Sequence, residues 1–248
     1  MHVDAGQLRT YVVNLPRRRD RRTHMESEVP AALRPLYTSD MDRNFDGREL
    51  NAAALRQDGY GFFDWHLTSP EVTNAFWKRP MKYGEVGCVL AHLACWQDAV
   101  ASDASFFLVL EDDVCLPPLF VDRLLAGIGT LLERHPKAGL LYLLRFPEEP
   151  EREREAGPGF VTAGFSYWTC GYVLSREAAE KFLGAGLPQA LIPVDEFLPA
   201  MYMDHPREDV RRCFPRRISA FAFSPPLLAR LSRRVVGSDT RESEVMES

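Results

Sequence analysis

The chain has 248 residues, 46% of them apolar, 11% aromatic and 26% charged, a composition that excludes a mainly disordered chain and suits one globular domain. Thirty Lys and Arg stand against 35 Asp and Glu, so there is no global basic field to hold a nucleic acid by counterion release. No run approaches the roughly 20 apolar residues that cross a bilayer, and Met1 to Thr10 carries no apolar signal core, so the expectation is a cytoplasmic protein.

In chain order, Thr10 to Leu15 (TYVVNL) predicts a strand, and the basic run Arg17 to Arg22 a helix start. The segment from Asp46-Gly47 to Tyr83 is irregular, aromatic-rich and too long for an ordinary connection, so it is expected to build or cover a site. Glu85 to Ala101 repeats apolar residues at three- and four-residue steps, an amphipathic helix entered at Gly84. Phe106 to Leu110 (FFLVL) reads as a strand buried on both faces of a mostly parallel sheet.

Pro117-Pro118 suit the first turn of a helix running through Leu132, and Gly139 to Phe146 is another buried strand. Glu148 to Gly159 predicts an exposed loop or irregular hairpin, Tyr167 to Leu174 a strand, and Arg176 to Leu183 a helix capped by Ser175. Ile218 to Phe223 is a last strand, and residues 233–248 a polar tail expected to be loose unless a ligand orders it. Strands alternating with helices make this an α/β protein, taken as a single domain over 1–248. The five cysteines lack CxxC spacing and read as reduced core thiols.

Glu111-Asp112-Asp113 follow FFLVL at once and fall at the carboxyl edge of a parallel sheet, where α/β proteins place ligands. Adjacent acids repel unless a cation neutralises them, and oxygen donors suit Mg²⁺ or Mn²⁺; a solvated strand end with a capping Asp is the bland alternative. Asp195-Glu196, inside an otherwise apolar octet, either begin a helix or face a cleft as a catalytic base. His92 is a ligand or a hydrogen-bonded boundary residue, and the cluster containing Arg18, Arg21 and Arg22 a diphosphate site or a solvated face. Trp168 could stack on a sugar or uracil ring or fill the core. For Gly84 and Gly87, close approach to a ligand competes with ordinary helix entry.

These pieces, in order, resemble glycosyltransferase family 25, which includes bacterial lipooligosaccharide and procollagen galactosyltransferases. Val13-Asn14-Leu15 with Arg18, Asp20, Arg21 and Arg22 is similar to its opening signature, and Asp46-Gly47 to its "DG". Lys82, Gly84, Glu85, Gly87 and Cys88 with Ala91-His92 match its "K-x-GEIGC…SH" block, Leu108 to Asp113 its "LVLEDD", and Thr169 to Tyr172 its "T-x-GY". Pro193 to Pro199 with Met201 and His205-Pro206 resembles the collagen-modifying branch, as does Ser238-Asp239-Thr240.

The resemblance implies a GT-A type fold, a UDP-sugar donor (UDP-galactose most often) and Mn²⁺ or Mg²⁺ held by Glu111 and Asp113. It also implies inverting transfer to a glycan or hydroxylysine-type acceptor with Asp195 or Glu196 as base. Asn14, Arg18, Arg21, Arg22, Lys82, Gly84, Glu85, Gly87, His92, Asp112 and Trp168 are then expected around the donor. A UDP-glucose-dependent enzyme and a non-catalytic paralogue are the alternatives. The chain departs from the branch after Pro226-Leu227-Leu228, where Thr-His-Tyr is replaced by Ala-Arg-Leu and no histidine follows His205. Either another ligand completes a metal shell there or metal binding is weakened.

Overall fold

The computed structural model describes residues 3–232 and 237–246. Strand β1 (Leu8–Val13) starts two residues earlier than TYVVNL suggested and stops before Asn14; α1 (Arg19–Glu28) follows, then β2 (Leu36–Tyr37) and α2 (Ala52–Gln57). Next come α3 (Tyr83–Ala101), β3 (Phe106–Glu111), β4 (Val114–Cys115) and α4 (Phe120–Arg134). Pro117-Pro118 lie before α4 instead of in its first turn, because Leu119 enters the helix with φ of 56°.

The chain continues through β5 (Ala138–Pro147), a hairpin of β6 (Glu155–Gly157) and β7 (Phe160–Thr162), β8 (Ser166–Ser175) and α5 (Arg176–Leu183). The Ser175 side chain accepts from the Ala178 N–H, as the cap required. Then follow α6 (Val194–Tyr202), α7 (Glu208–Cys213), β9 (Ser219–Phe223), β10 (Ala229–Arg230) and α8 (Asp239–Glu242).

Eight strands form one sheet in the order β2-β1-β3-β8-β5-β9-β7-β6, in which β8 and β7 oppose the common direction of the others. The pleat sends alternate residues to opposite faces. Phe107 and Val109 of β3 join Tyr11, Tyr142 and Tyr172 in a core under α3, α5 and α6. Leu108 and Leu110 join Val12, Leu141 and Val173 in a second core, under α1 and α4. Covering both faces is what makes FFLVL an unbroken apolar run. Among the described residues, no helix is long and apolar enough to cross a membrane.

The acidic trio lies at the carboxyl edge of the parallel pair β1–β3, whose register sets Val13 beside Glu111. The small antiparallel pair β4–β10, with Arg230 opposite Val114, brings a late segment of the chain to the same edge.

Residues 237–246 of the expected tail pack against the start of α3. Tyr83 N–H donates to the Glu244 carbonyl at 2.9 Å, Met246 N–H to the Met81 carbonyl at 2.8 Å, and Met246 is buried. Residues 233–236 and 247–248 of that tail lie outside the described residues. The packing comes from ion pairs that a local reading does not register, described next.

Candidate functional site

A cavity of about 970 Å³ opens at this edge, lined by Glu111, Trp168, Thr169, Asp195, Glu196 and Arg230. Trp65, Phe76, Arg79 and Lys82 of the long irregular segment close another side, as that segment's composition foretold. A second cavity of about 100 Å³ is lined by Asn14, Arg21, Gly84, Gly87, Asp112 and Asp239, and Glu111 and Cys88 border both spaces.

The three acids have three different fates. Asp112 is buried and accepts from Asn14 Nδ2 at 2.8 Å and from Arg21 at 2.7 Å, so this trio of residues knits β1, α1 and the β3 end together. Glu111 accepts from the Thr169 hydroxyl at 2.5 Å and faces the cavity. Burial and the neighbouring Asp113 push its carboxyl above the usual range. Asp113 is 1% exposed; its Oδ2 accepts from Arg230 Nε at 2.9 Å and from a terminal guanidinium nitrogen at 2.7 Å. That same nitrogen is 3.9 Å from Glu111.

These residues do not fit a resident Mn²⁺ or Mg²⁺. Among the described residues two donor groups share Glu111, one with Asp113 and Cys170 and one with Cys88 and His92, and each includes a thiol. Cys170 is a buried thiol whose pKa burial drives up, whereas both ions want several oxygen ligands. The space beside the two carboxylates is held by a guanidinium. Unit charges 4 Å apart interact by about 4 kcal/mol at an effective dielectric of 20, and a divalent ion sharing the site would meet twice that repulsion.

Asp195 and Glu196 both lie in the first turn of α6, so the helix-start and cleft readings hold together. One helical step of about 100° separates their environments. Glu196 is saturated: Trp77 Nε1 donates at 3.1 Å, the Tyr167 hydroxyl at 3.2 Å and His205 Nε2 at 2.9 Å. His205 Nδ1 accepts the Arg207 N–H at 3.0 Å, which fixes the proton on Nε2. Asp195 Oδ1 has no hydrogen-bond partner among the described residues. Burial, then the fields of Glu111 and Glu196, push its carboxyl up to about 8, so desolvation outweighs the helix dipole that favours the anion.

The basic run after β1 is clasped by the tail. Asp239, at the start of α8, pairs with Arg17 and with Arg18, each at 2.6 Å, and lies 3.7 Å from Arg21. Glu85 takes a bidentate bond from Arg79 at 2.9 and 2.5 Å and accepts the Lys82 N–H at 2.7 Å, capping α3 beside the large cavity. Trp168 sits within β8 at φ of 70°, an αL conformation costly for a bulky residue, with Arg230 5.2 Å over its ring.

Three residues expected around the donor are placed elsewhere. His92 is fully buried, bonded to the Tyr172 hydroxyl at 2.7 Å, and lines neither cavity; burial holds its pKa down to about 3. Its position off the apolar stripe of α3 still falls inside the core because both sides of that helix are covered. Arg22 turns away, stacking 3.5 Å over Tyr37 and pairing with Glu26 and Asp40. Arg18 lines neither cavity and holds Asp20 and Asp239 instead.

The close approach expected at the helix glycines is made by the chain itself. A Cβ on Gly84 would stand 2.6 Å from Ser243 Oγ and 2.8 Å from Thr240 Cα, and one on Gly87 would strike the Phe45 carbonyl oxygen. Gly84→Ala is therefore expected to lift α8 off α3, with amide exchange over residues 239–245 at least about tenfold faster. Unchanged protection would mean that the tail is held by its ion pairs alone.

Arg230 and Asp239 are the site residues that composition and spacing did not single out. The signal for Arg230 was the missing histidine after Leu228; for Asp239 it was the excess of cations after β1.

The family model for glycosyltransferase family 25 (LPS biosynthesis protein) matches residues 7–198. The chain belongs to glycosyltransferase family 25. The glycosyltransferase 25 family member of Anopheles gambiae is 36% identical over 225 residues, which are 88% of this chain and 36% of that relative. Procollagen galactosyltransferase 2 of Homo sapiens is 32% identical over 226 residues, 88% of this chain and 34% of the relative. The inactive glycosyltransferase 25 family member 3 of Homo sapiens is 35% identical over 226 residues, 88% and 36% of the two chains. The chain spans about a third of the length of the curated relatives it matches. The α/β sheet with its acidic edge is consistent with a GT-A-like architecture in this family 25 chain. Arg230 and Asp239 lie past the matched 7–198 segment.

Proposed function

We propose that this family 25 chain is an inverting hexosyltransferase that moves galactose from UDP-galactose to the hydroxyl of a glycan or hydroxylysine-type acceptor. The observation that carries the reading is Asp195. It borders the large cavity with one carboxylate oxygen unpaired among the described residues, beside Glu111, Trp168 and Arg230. In the reaction the acceptor oxygen attacks the sugar's anomeric carbon from the side opposite the diphosphate. The bond from that carbon to the phosphate oxygen breaks, its electron pair leaves with UDP, and the hydroxyl proton passes to Asp195.

Glu196 is the wrong partner for that proton, because Trp77, Tyr167 and His205 already occupy its oxygens. It fixes the aromatic wall formed with Tyr167 instead. Galactose is preferred to glucose on the name of the procollagen galactosyltransferase relative; the two sugars differ in one hydroxyl orientation, which a few hydrogen bonds read.

A non-catalytic binding module is the second reading, favoured by the ion pairs that occupy Asp113 and Asp239. UDP release from UDP-galactose and UDP-glucose without acceptor separates the readings. Release from UDP-galactose at the higher rate is expected. Release from UDP-glucose alone would reassign the donor, and no release from either would favour the module.

A further inference from the structure

We propose that Arg230 is the resident cation of this site and does the electrostatic work otherwise assigned to a divalent metal: it holds the donor's diphosphate and offsets its charge as it leaves. The inference rests on the transferase reading above and concerns how that site manages negative charge.

Two observations place the guanidinium where such a cation is needed. Arg230 is pinned by backbone, since β10 pairs with β4 and the Leu231 N–H donates to the Asp113 carbonyl at 2.8 Å. Its side chain is then fixed on three sides: two N–H bonds to Asp113, Glu111 at 3.9 Å, and the Trp168 ring at 5.2 Å.

The remaining terminal nitrogen, Nη1, is buried and has no acceptor among the described residues, although the residue borders the large cavity. An unpaired buried donor is costly unless a ligand completes it. A phosphate oxygen is the acceptor that a guanidinium edge fits best. Burial works against the charged guanidinium, but the acids Glu111 and Asp113 outweigh it, raise its pKa and keep the group aimed. Lys82 lines the same cavity and adds positive charge to it, whereas the charge of Arg79 is matched by Glu85.

In the transfer step the electron pair of the broken carbon–oxygen bond settles on the diphosphate. N–H bonds from Arg230 would strengthen as that charge grows, which is the condition for lowering the barrier. No second ion is required for this, and one bound beside Asp113 would have to displace the guanidinium.

The test is UDP binding to this chain by calorimetry, in EDTA and in millimolar Mn²⁺, with manganese followed by electron paramagnetic resonance. Equal UDP affinity within about twofold in the two buffers is expected, with no protein-bound Mn²⁺ signal. Arg230→Ala should bind UDP at least about tenfold more weakly in either buffer, and Arg230→His should lose affinity in EDTA and regain it with Mn²⁺. Wild-type affinity that rises tenfold or more with Mn²⁺ overturns the proposal and leaves the transferase reading standing. Absence of UDP binding in both buffers overturns both. The wild-type comparison decides the matter even if a variant fails to fold.

Discussion

Asp195→Asn will lower UDP-sugar turnover by about 10²–10⁴-fold, the usual worth of a positioned general base, and will at the same time make the fold more stable at pH 8. The two effects share one cause. Asp195 is half-buried, and desolvation with the fields of Glu111 and Glu196 pushes its carboxyl from 3.8 up to about 8, so the folded chain holds a proton there that the unfolded chain releases. The stability tied to that proton is fully present below pH 3.8 and is lost as pH rises through 8. The neutral amide of Asn escapes the loss, so the gain should be absent near pH 4 and largest at pH 8 and above. Each kcal/mol recovered amounts to roughly 2–4 °C in a chain of this size. Thermal melts of both proteins across that range check the sign, and the wild-type kcat/KM should climb to an apparent pKa near 8. Undiminished turnover in the variant would remove Asp195 from the proton transfer.

Arg21→Leu will destabilise the fold by about 3–5 kcal/mol, the cost of breaking a buried ion pair from one side. Arg21 and Asp112 are each less than a tenth exposed and meet at 2.7 Å, and Arg21 also donates to the Gly237 carbonyl at 3.1 Å. Without the guanidinium, Asp112 keeps only the Asn14 amide among the described residues. Burial already raises the Asp112 pKa despite Arg21, so its carboxylate is poorly solvated even when paired. Adding Asp112→Asn should recover more than half of the loss, because it removes the stranded charge and preserves an acceptor for Asn14. Urea midpoints at constant slope measure both. A loss below about 1 kcal/mol would make the pair equivalent to a surface bridge.

The contrast between these two carboxylates marks how far the linear chain can be read. Glu111, Asp112 and Asp113 are consecutive and were assigned to one ligand-binding edge. In the fold one faces the cavity, one is tied to Arg21 and Asn14, and one is tied to Arg230. Asp195 and Glu196 were equal candidates for the base, and the turn of α6 alone separates an unpaired oxygen from a saturated one. His92 looked like a boundary residue from its helical position and is in fact core, since residues from α5 and α6 close over that side of α3.

What the amino-acid order determined by itself are the features with a local cause. Apolar periodicity placed α3 and α4, a capping serine placed α5, an unbroken apolar run made β3 a strand covered on both faces, and the acids after it marked the edge where the cavity opens. What only the tertiary structure decided is which charges meet. Arg230 reaches Asp113 across 117 residues and Asp239 reaches Arg18 across 221. Periodicity describes the burial of one element at a time, whereas charge pairing depends on which distant elements share an edge. That is why the acidic edge was legible beforehand, and the guanidinium lodged between Glu111 and Asp113 was not.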